Sequence, residues 1–171
     1  MNQAKDNKLP ETARVWVYQS QRKLKPEEAA TIQVCLNDFL ENWTSHKIGV
    51  VGTGQLVYNR FLVLMADEDM VKLGGCSIDS SMHFIKAIQQ KINTDFFNRL
   101  SLAYKVGDDV ESCSPEEFKS LVDKGIIHDE TIVFNNLIQT KQEFITGWEI
   151  PYKDSWHKNL AVSNTPFSSL L

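Results

Sequence analysis

The sequence predicts an α+β fold built on a ferredoxin-like, split βαβ core: an antiparallel sheet with two helices on one face and a C-terminal helix/strand extension. Three observations lead there. Over the first 107 residues the periodic segments run strand, helix, strand, strand, helix, strand. The first and third strands are apolar on both faces, as strands covered on both sides are. Each helix carries one apolar face at spacings of three and four residues. With 171 residues, 42% hydrophobic and 23% charged, the chain suits a single globular domain with its own core.

Residues 1–12 read as a flexible polar leader. Arg14 to Gln19 is the first strand, with Val15 and Val17 on one side and Trp16 and Tyr18 on the other. Lys25-Pro26-Glu27-Glu28 opens a helix, since proline suits the first turn and glutamates suit the positive end of the dipole. Its apolar face is Ala29, Ile32, Leu36, Phe39 and Trp43. Lys47 to Val51 and Gln55 to Ala66 read as the arms of a hairpin about Gly52-Thr53-Gly54, with Asn59-Arg60 as a competing, tighter turn. A polar loop from Gly74 leads into a second helix with Ile78, Met82, Ile85, Ile88, Ile92 and Phe96 on one face. Ser101 to Val106 is the fourth strand, broken by Gly107-Asp108-Asp109. Right-handed crossovers place the first and third strands side by side and parallel at the sheet centre.

Two helices cover one face of such a sheet, so the other face needs a cover: the C-terminal third, or a second copy of the chain. Ser114-Pro115-Glu116-Glu117 and Thr140-Lys141-Gln142-Glu143 are capping boxes that open two more helices, with a strand over Thr131 to Ile138 between them. The region is studded with Phe134, Phe144, Trp148, Tyr152 and Trp156, the aromatic content of a core clamp. Residues 13–157 therefore read as one domain, with a core at 13–107 and a cover at 108–157. Residues 158–171, rich in Ser and Asn, read as a mobile tail in which Phe167, Leu170 and Leu171 can dock.

A formal net charge of −4 argues against nucleic acid as a partner, and Arg22-Lys23-Leu24-Lys25 is the one dense basic run. Three widely spaced cysteines, Cys35, Cys76 and Cys113, form neither a disulfide framework nor a zinc site. No metal or cofactor is expected. The longest uninterrupted apolar run, Phe61 to Ala66, is far too short to span a membrane, and Met1 to Arg14 lacks the apolar stretch of a signal peptide. The expected location is the cytoplasm.

The candidate site is the loop Gly74-Gly75-Cys76-Ser77-Ile78-Asp79-Ser80-Ser81-Met82-His83, at a helix N-terminus with unpaired N–H groups. If the first and third strands are parallel neighbours, the turn Gln19-Ser20-Gln21-Arg22 lies at the same sheet edge. Ser20, Arg22, Cys76, Ser77, Asp79 and Ser80 would then bind a small anion such as phosphate or carboxylate without catalysis, or a protein partner. Arg22 supplies charge, the serines and backbone N–H groups supply donors, and Asp79 orients them or simply caps the helix. Two rival readings stand beside it. One is a thiol- or hydroxyl-dependent enzyme that uses Cys76 or a neighbouring serine, with a base among His46, His83, His128 and His157. The other is a structural subunit of a homo-oligomer.

Five stretches carry a family resemblance: Arg14-Val15-Trp16-Val17-Tyr18-Gln19-Ser20, Tyr58-Asn59-Arg60-Phe61, Gly75-Cys76-Ser77-Ile78-Asp79-Ser80-Ser81, Thr131-Ile132-Val133-Phe134-Asn135-Asn136-Leu137, and Trp148-Glu149-Ile150-Pro151 with Ser155-Trp156-His157. Over about residues 9 to 160 the chain resembles a family of small uncharacterised bacterial proteins often labelled ABC-transporter ATPases. The resemblance carries no catalytic residue. The label also lacks its chemistry here, because an ATPase of that kind needs G-x-x-x-x-G-K-[ST] and no glycine in this chain precedes a lysine.

Overall fold

The computed structural model describes residues 9–45, 48–69 and 75–162. The leader before residue 9 and the tail after 162 lie outside the described residues, as do His46 and Gly74. Strands β1 (Arg14–Gln19), β4 (Gly52–Val57) and β5 (Phe61–Ala66) form an antiparallel sheet in the order β1-β5-β4. Strands β6 (Leu102–Val106), β7 (Asp109–Cys113), β8 (Ile132–Phe134) and β9 (Glu149–Pro151) form a second antiparallel sheet, in the order β7-β6-β8-β9. A short ladder joins β2 (Thr44–Ser45) to β3 (Ile48–Gly49). The helices are α1 (Pro26–Asn42), α2 (Gly75–Ile92), α3 (Pro115–Asp123), α4 (Lys141–Gly147) and α5 (Lys158–Val162). The class is α+β, and no described helix is long and apolar enough to cross a membrane.

The layers follow from strand alternation. Leu62 and Leu64 of β5 pack with Tyr18 against Ile32 and Leu36 of α1 and Ile85 and Ile88 of α2. The alternate residues Phe61, Val63 and Met65 pack with Val15 against Ala103, Val110 and Phe134 of the second sheet. The far face of that sheet buries Leu102 and Val133 with Phe118 of α3 and Leu160 of α5. Aromatic rings fasten the two sheets together, with Phe61 centred 4.8 Å from Phe134 and 5.1 Å from Trp148. The expected aromatic clamp is thus core: Trp148, Tyr152 and His157 are all buried.

Three expectations are corrected. First, β1 and β5 are neighbours but antiparallel, from Arg14 opposite Ala66 to Gln19 opposite Phe61. Second, the fourth strand does not enter the first sheet. Gly107, at φ 61°, allows the two-residue turn Gly107-Asp108, so β6 pairs with the adjacent β7, Val106 opposite Asp109. Closing that two-residue loop costs far less entropy than reaching β1 across some eighty residues. Third, the hairpin turns at Tyr58-Asn59-Arg60, with Tyr58 and Asn59 at φ 54° and 48°, while Gly52 and Gly54 sit within β4.

Those glycines serve packing rather than turning. A Cβ on Gly54 would stand 2.8 Å from Leu36 Cδ1 and 3.0 Å from Leu64 Cδ2, so the missing side chain lets α1 lie close on the sheet. Both C-terminal capping boxes form as read: the Ser114 side chain accepts from the Glu117 N–H and the Thr140 side chain from the Glu143 N–H. Gly54→Ala is expected to lower unfolding free energy by about 1–3 kcal/mol through overpacking. Gly147→Ala, where a Cβ meets nothing within 4 Å, is expected to stay within about 0.5 kcal/mol of the parent. Urea denaturation of the two variants checks both.

Candidate functional site

The antiparallel pairing of β1 and β5 separates the residues that the sequence groups together. The turn after β1 and the loop after β5 leave the sheet at opposite ends. Ser20 Oγ donates to the Arg22 carbonyl at 2.7 Å and lies 3.5 Å from Thr94 Oγ1. Arg22 makes a bidentate pair with Glu28, at 2.7 and 2.8 Å, and reaches the Ile92 carbonyl at 3.4 Å. That pair is intramolecular, raises the Arg22 pKa, and pulls the Glu28 carboxyl down to about 2. Ser20 and Arg22 thus serve the C-terminal end of α2. Cys76, Ser77, Asp79 and Ser80 lie in its first turns, and 18 residues of helix span about 27 Å. The side chains of Cys76 and Ser77 fall outside the described part, Asp79 is exposed, and Ser80 is half-buried. The buried Ser81 donates to the Ile78 carbonyl at 2.8 Å.

A concavity lies elsewhere, along the outer edge of β1. It encloses about 470 Å³ between the two sheets, under α2. Its floor is β1 from Arg14 to Gln19; one wall is Phe96 to Arg99 with Ser101 and Leu102, and the other is Phe134 and Asn136 to Gln139, with Ile78, Met82, Trp156 and His157 completing the lining. The sequence explains the opening. The Val15 N–H donates to the Gln139 carbonyl at 2.8 Å and the Lys141 N–H to the Ala13 carbonyl at 2.8 Å, so residues 139–141 run beside the start of β1 as a partial fourth strand. Asn135 then ends it: its Oδ1 accepts from the Leu137 N–H at 3.2 Å, a side-chain-closed turn that carries the chain back to β8. Beyond Val15 the edge of β1 has no strand beside it among the described residues.

A chain of amides holds the groove open. Gln19, buried at the end of β1, donates from Nε2 to Ser101 Oγ at 2.8 Å and accepts at Oε1 from Asn136 Nδ2 at 2.8 Å. Asn136 Oδ1 accepts from Trp148 Nε1, and Asn135 Oδ1 from Trp156 Nε1, each at 3.0 Å. The Gln19 side chain therefore ties one wall to the other. Arg14 and Arg99 bring the positive charge, and no Asp or Glu is among the described lining residues. The Arg14 guanidinium lies over the Trp16 ring at 5.6 Å and 4.0 Å from Glu68, while its Nε is buried without a partner among the described residues. Tyr18 OH contacts Met82 Sδ at 3.6 Å, and burial raises the phenol pKa against the opposing pull of Ser81 and Arg99.

His157 stacks on Trp156 at 4.0 Å and takes Ser155 Oγ against Nδ1 at 2.5 Å. Burial pushes its pKa down to about 4, so the ring is neutral at pH 7. Ser155 is buried too and is absent from the lining, which makes the pair a structural one. No group of three or more His, Cys, Asp or Glu among the described residues is placed to hold a metal ion. Burial also raises the Cys113 thiol to about 11, the reverse of an activated nucleophile.

As residues of this groove, Arg14, Arg99 and Asn136 escaped the sequence reading, which placed Gln19 in a turn at the sheet edge without giving it a role. The available signal was a run of amides at the ends of apolar strands: Gln19 after Val15–Tyr18, and Asn135-Asn136 after Ile132–Phe134. Four of the five stretches that carry the family resemblance meet at this groove.

The unfolded chain protonates His157 near the ordinary 6.5, whereas the folded chain does so only near 4. Stability is therefore complete above about pH 6.5 and falls as pH drops toward 4, by about 1.4 kcal/mol per unit from this group. The expected outcome is that His157→Gln flattens this part of the curve of unfolding free energy against pH, measured by urea denaturation between pH 4 and 7. Compared with known proteins, the chain matches no family model, no curated protein and no solved structure.

Proposed function

We propose that this protein is a non-catalytic binding module for a small organic anion, and that the groove beside β1 is its binding site. The carrying observation is the composition of the lining: two arginines, the side-chain amides of Gln19, Asn98, Asn136 and Gln139, apolar and aromatic walls, and no described carboxylate. In a chain of net charge −4, a concavity that gathers only cations and neutral donors favours a ligand with one anionic end and an apolar body. The Arg14 Nε, buried without a hydrogen-bond partner among the described residues, supports the reading, because a buried N–H gains free energy when it finds an acceptor. The anion keeps the chemistry expected of the Cys76 loop and moves to another place.

On this reading β1, α1, β4 and β5 are the split βαβ half of a ferredoxin-like sheet, and the groove occupies the position beside β1 that a fourth strand would fill. A cytoplasmic setting is consistent with the free thiols at Cys35 and Cys113.

Isothermal titration with 3-phenylpropionate and its neutral amide tests the proposal. The acid is expected to bind at least about fivefold more tightly than the amide, and Arg14→Gln or Arg99→Gln to weaken the acid about tenfold while leaving the amide unchanged. Equal binding of acid and amide, or no binding of either, contradicts it.

A further inference from the structure

We infer that the ligand of this groove is an extended peptide segment carrying a carboxylate, which adds to the outer edge of β1 as a strand. The inference rests on the reading of the groove as an anion site and names the class of its ligand.

Backbone direction is the first support. Val15 turns its N–H outward to Gln139, away from β5. In an antiparallel strand the outward groups recur at every second residue, so Val17 and Gln19 present theirs along the same edge, while Trp16 and Tyr18 face β5. The Ser20 N–H, which bonds the Arg60 carbonyl at 2.8 Å, keeps the same alternation. Residues 139–141 show that this edge takes a strand partner, and the ladder ends where the groove begins. The strand expected in that place, β6, is paired in the other sheet.

Side-chain alternation is the second. A strand laid on β1 points its side chains alternately to the two sides of the sheet. On one side lie Met82 and Phe97, packed with Tyr18; on the other, Phe134 and Ile138, packed with Val15. Both sides are apolar, which suits a peptide with apolar residues at successive positions better than a compact ligand. From Val15 to Gln19 the edge runs about 13 Å, room for roughly four peptide residues.

Charge is the third. Arg14 and Arg99 lie among lining residues that include no described carboxylate; Glu68, outside the lining, stands 4.0 Å from Arg14, and no described carboxylate pairs with Arg99, so the complementary segment bears an acidic side chain or terminal carboxylate. The edge is recessed between the walls at 96–102 and 134–139, and Gln19 bridges them. A single extended segment fits between such walls.

The test is selection of a displayed random heptapeptide library against the full-length chain, followed by titration of the best peptide as the free molecule and as a set with each backbone amide N-methylated in turn. 3-Phenylpropionate serves as competitor. Support consists of an acidic, apolar-rich peptide that 3-phenylpropionate displaces, in which N-methylation at alternate amides weakens binding about thirtyfold and at the others less than about threefold. Val17→Pro, which removes an outward N–H and no bond to β5, is expected to cost at least about tenfold for the peptide. The N-methyl series decides the matter if that variant does not fold. Binding of 3-phenylpropionate with no enriched peptide overturns the inference and leaves the anion site standing. A peptide indifferent to N-methylation at every position, or not displaced by the acid, also overturns it. Failure of both ligands removes the anion site and the inference together.

Discussion

Everything in this fold depends on the burial of β5 on both faces. All six of its residues, Phe61 to Ala66, are at most 3% exposed. Each large apolar side chain in it contributes about 1.5–3 kcal/mol on burial, so neither face can be left to solvent. The helices α1 and α2 cover Leu62 and Leu64, and the second sheet covers Phe61, Val63 and Met65. Close approach is part of the same constraint. Gly54 lets α1 reach the sheet, and the rings of Phe61, Phe134 and Trp148 bring the sheets together. The buried Arg60 adds a polar tie, donating to Ser112 Oγ of the second sheet at 2.7 Å.

The groove is a by-product of that arrangement. The second sheet is assembled from its own hairpin, β6 with β7, and so supplies no full strand to β1. Among the described residues only Gln139 to Lys141 reach across, and the Asn135 turn takes the chain away before the edge is complete. What remains is a slot with backbone on its floor, amides fixed across its end and two guanidinium groups in its lining. The proposed binding site therefore lies where the covering of β5 leaves the sheet unfinished, not at the helix N-terminus that looked richest in functional groups.

Much of the fold was legible because its signals are local. Lys25-Pro26-Glu27-Glu28, Ser114-Pro115-Glu116-Glu117 and Thr140-Lys141-Gln142-Glu143 each mark a helix start with a mechanism, and all three helices begin there. The two-sided apolar character of Arg14–Gln19 and Phe61–Ala66 correctly makes them neighbours. Alternation along a strand carries no information about the sense of its partner, but connectivity does: the helical crossover sets β4 parallel to β1, and the hairpin turns β5 antiparallel to both. The glycines of Gly52-Thr53-Gly54 misled because glycine marks close approach as well as turns, while the left-handed conformation fell to Tyr58 and Asn59. Tyr58 is held there by long-range contacts, its hydroxyl donating to Glu149 at 2.9 Å and its ring lying 5.7 Å from Phe134. Grouping Ser20 and Arg22 with Cys76, Ser77, Asp79 and Ser80 required the wrong strand direction.

The open edge of β1 is the claim on which the functional reading stands, and amide hydrogen exchange of the ligand-free full-length protein, resolved by residue along Trp16 to Gln19, tests it most directly. Slow exchange at Trp16 and Tyr18, which face β5, with fast exchange at Val17 and Gln19, is the predicted pattern. Equal strong protection of all four amides would mean that another part of the chain already completes the sheet there, and would contradict a groove free to take a ligand.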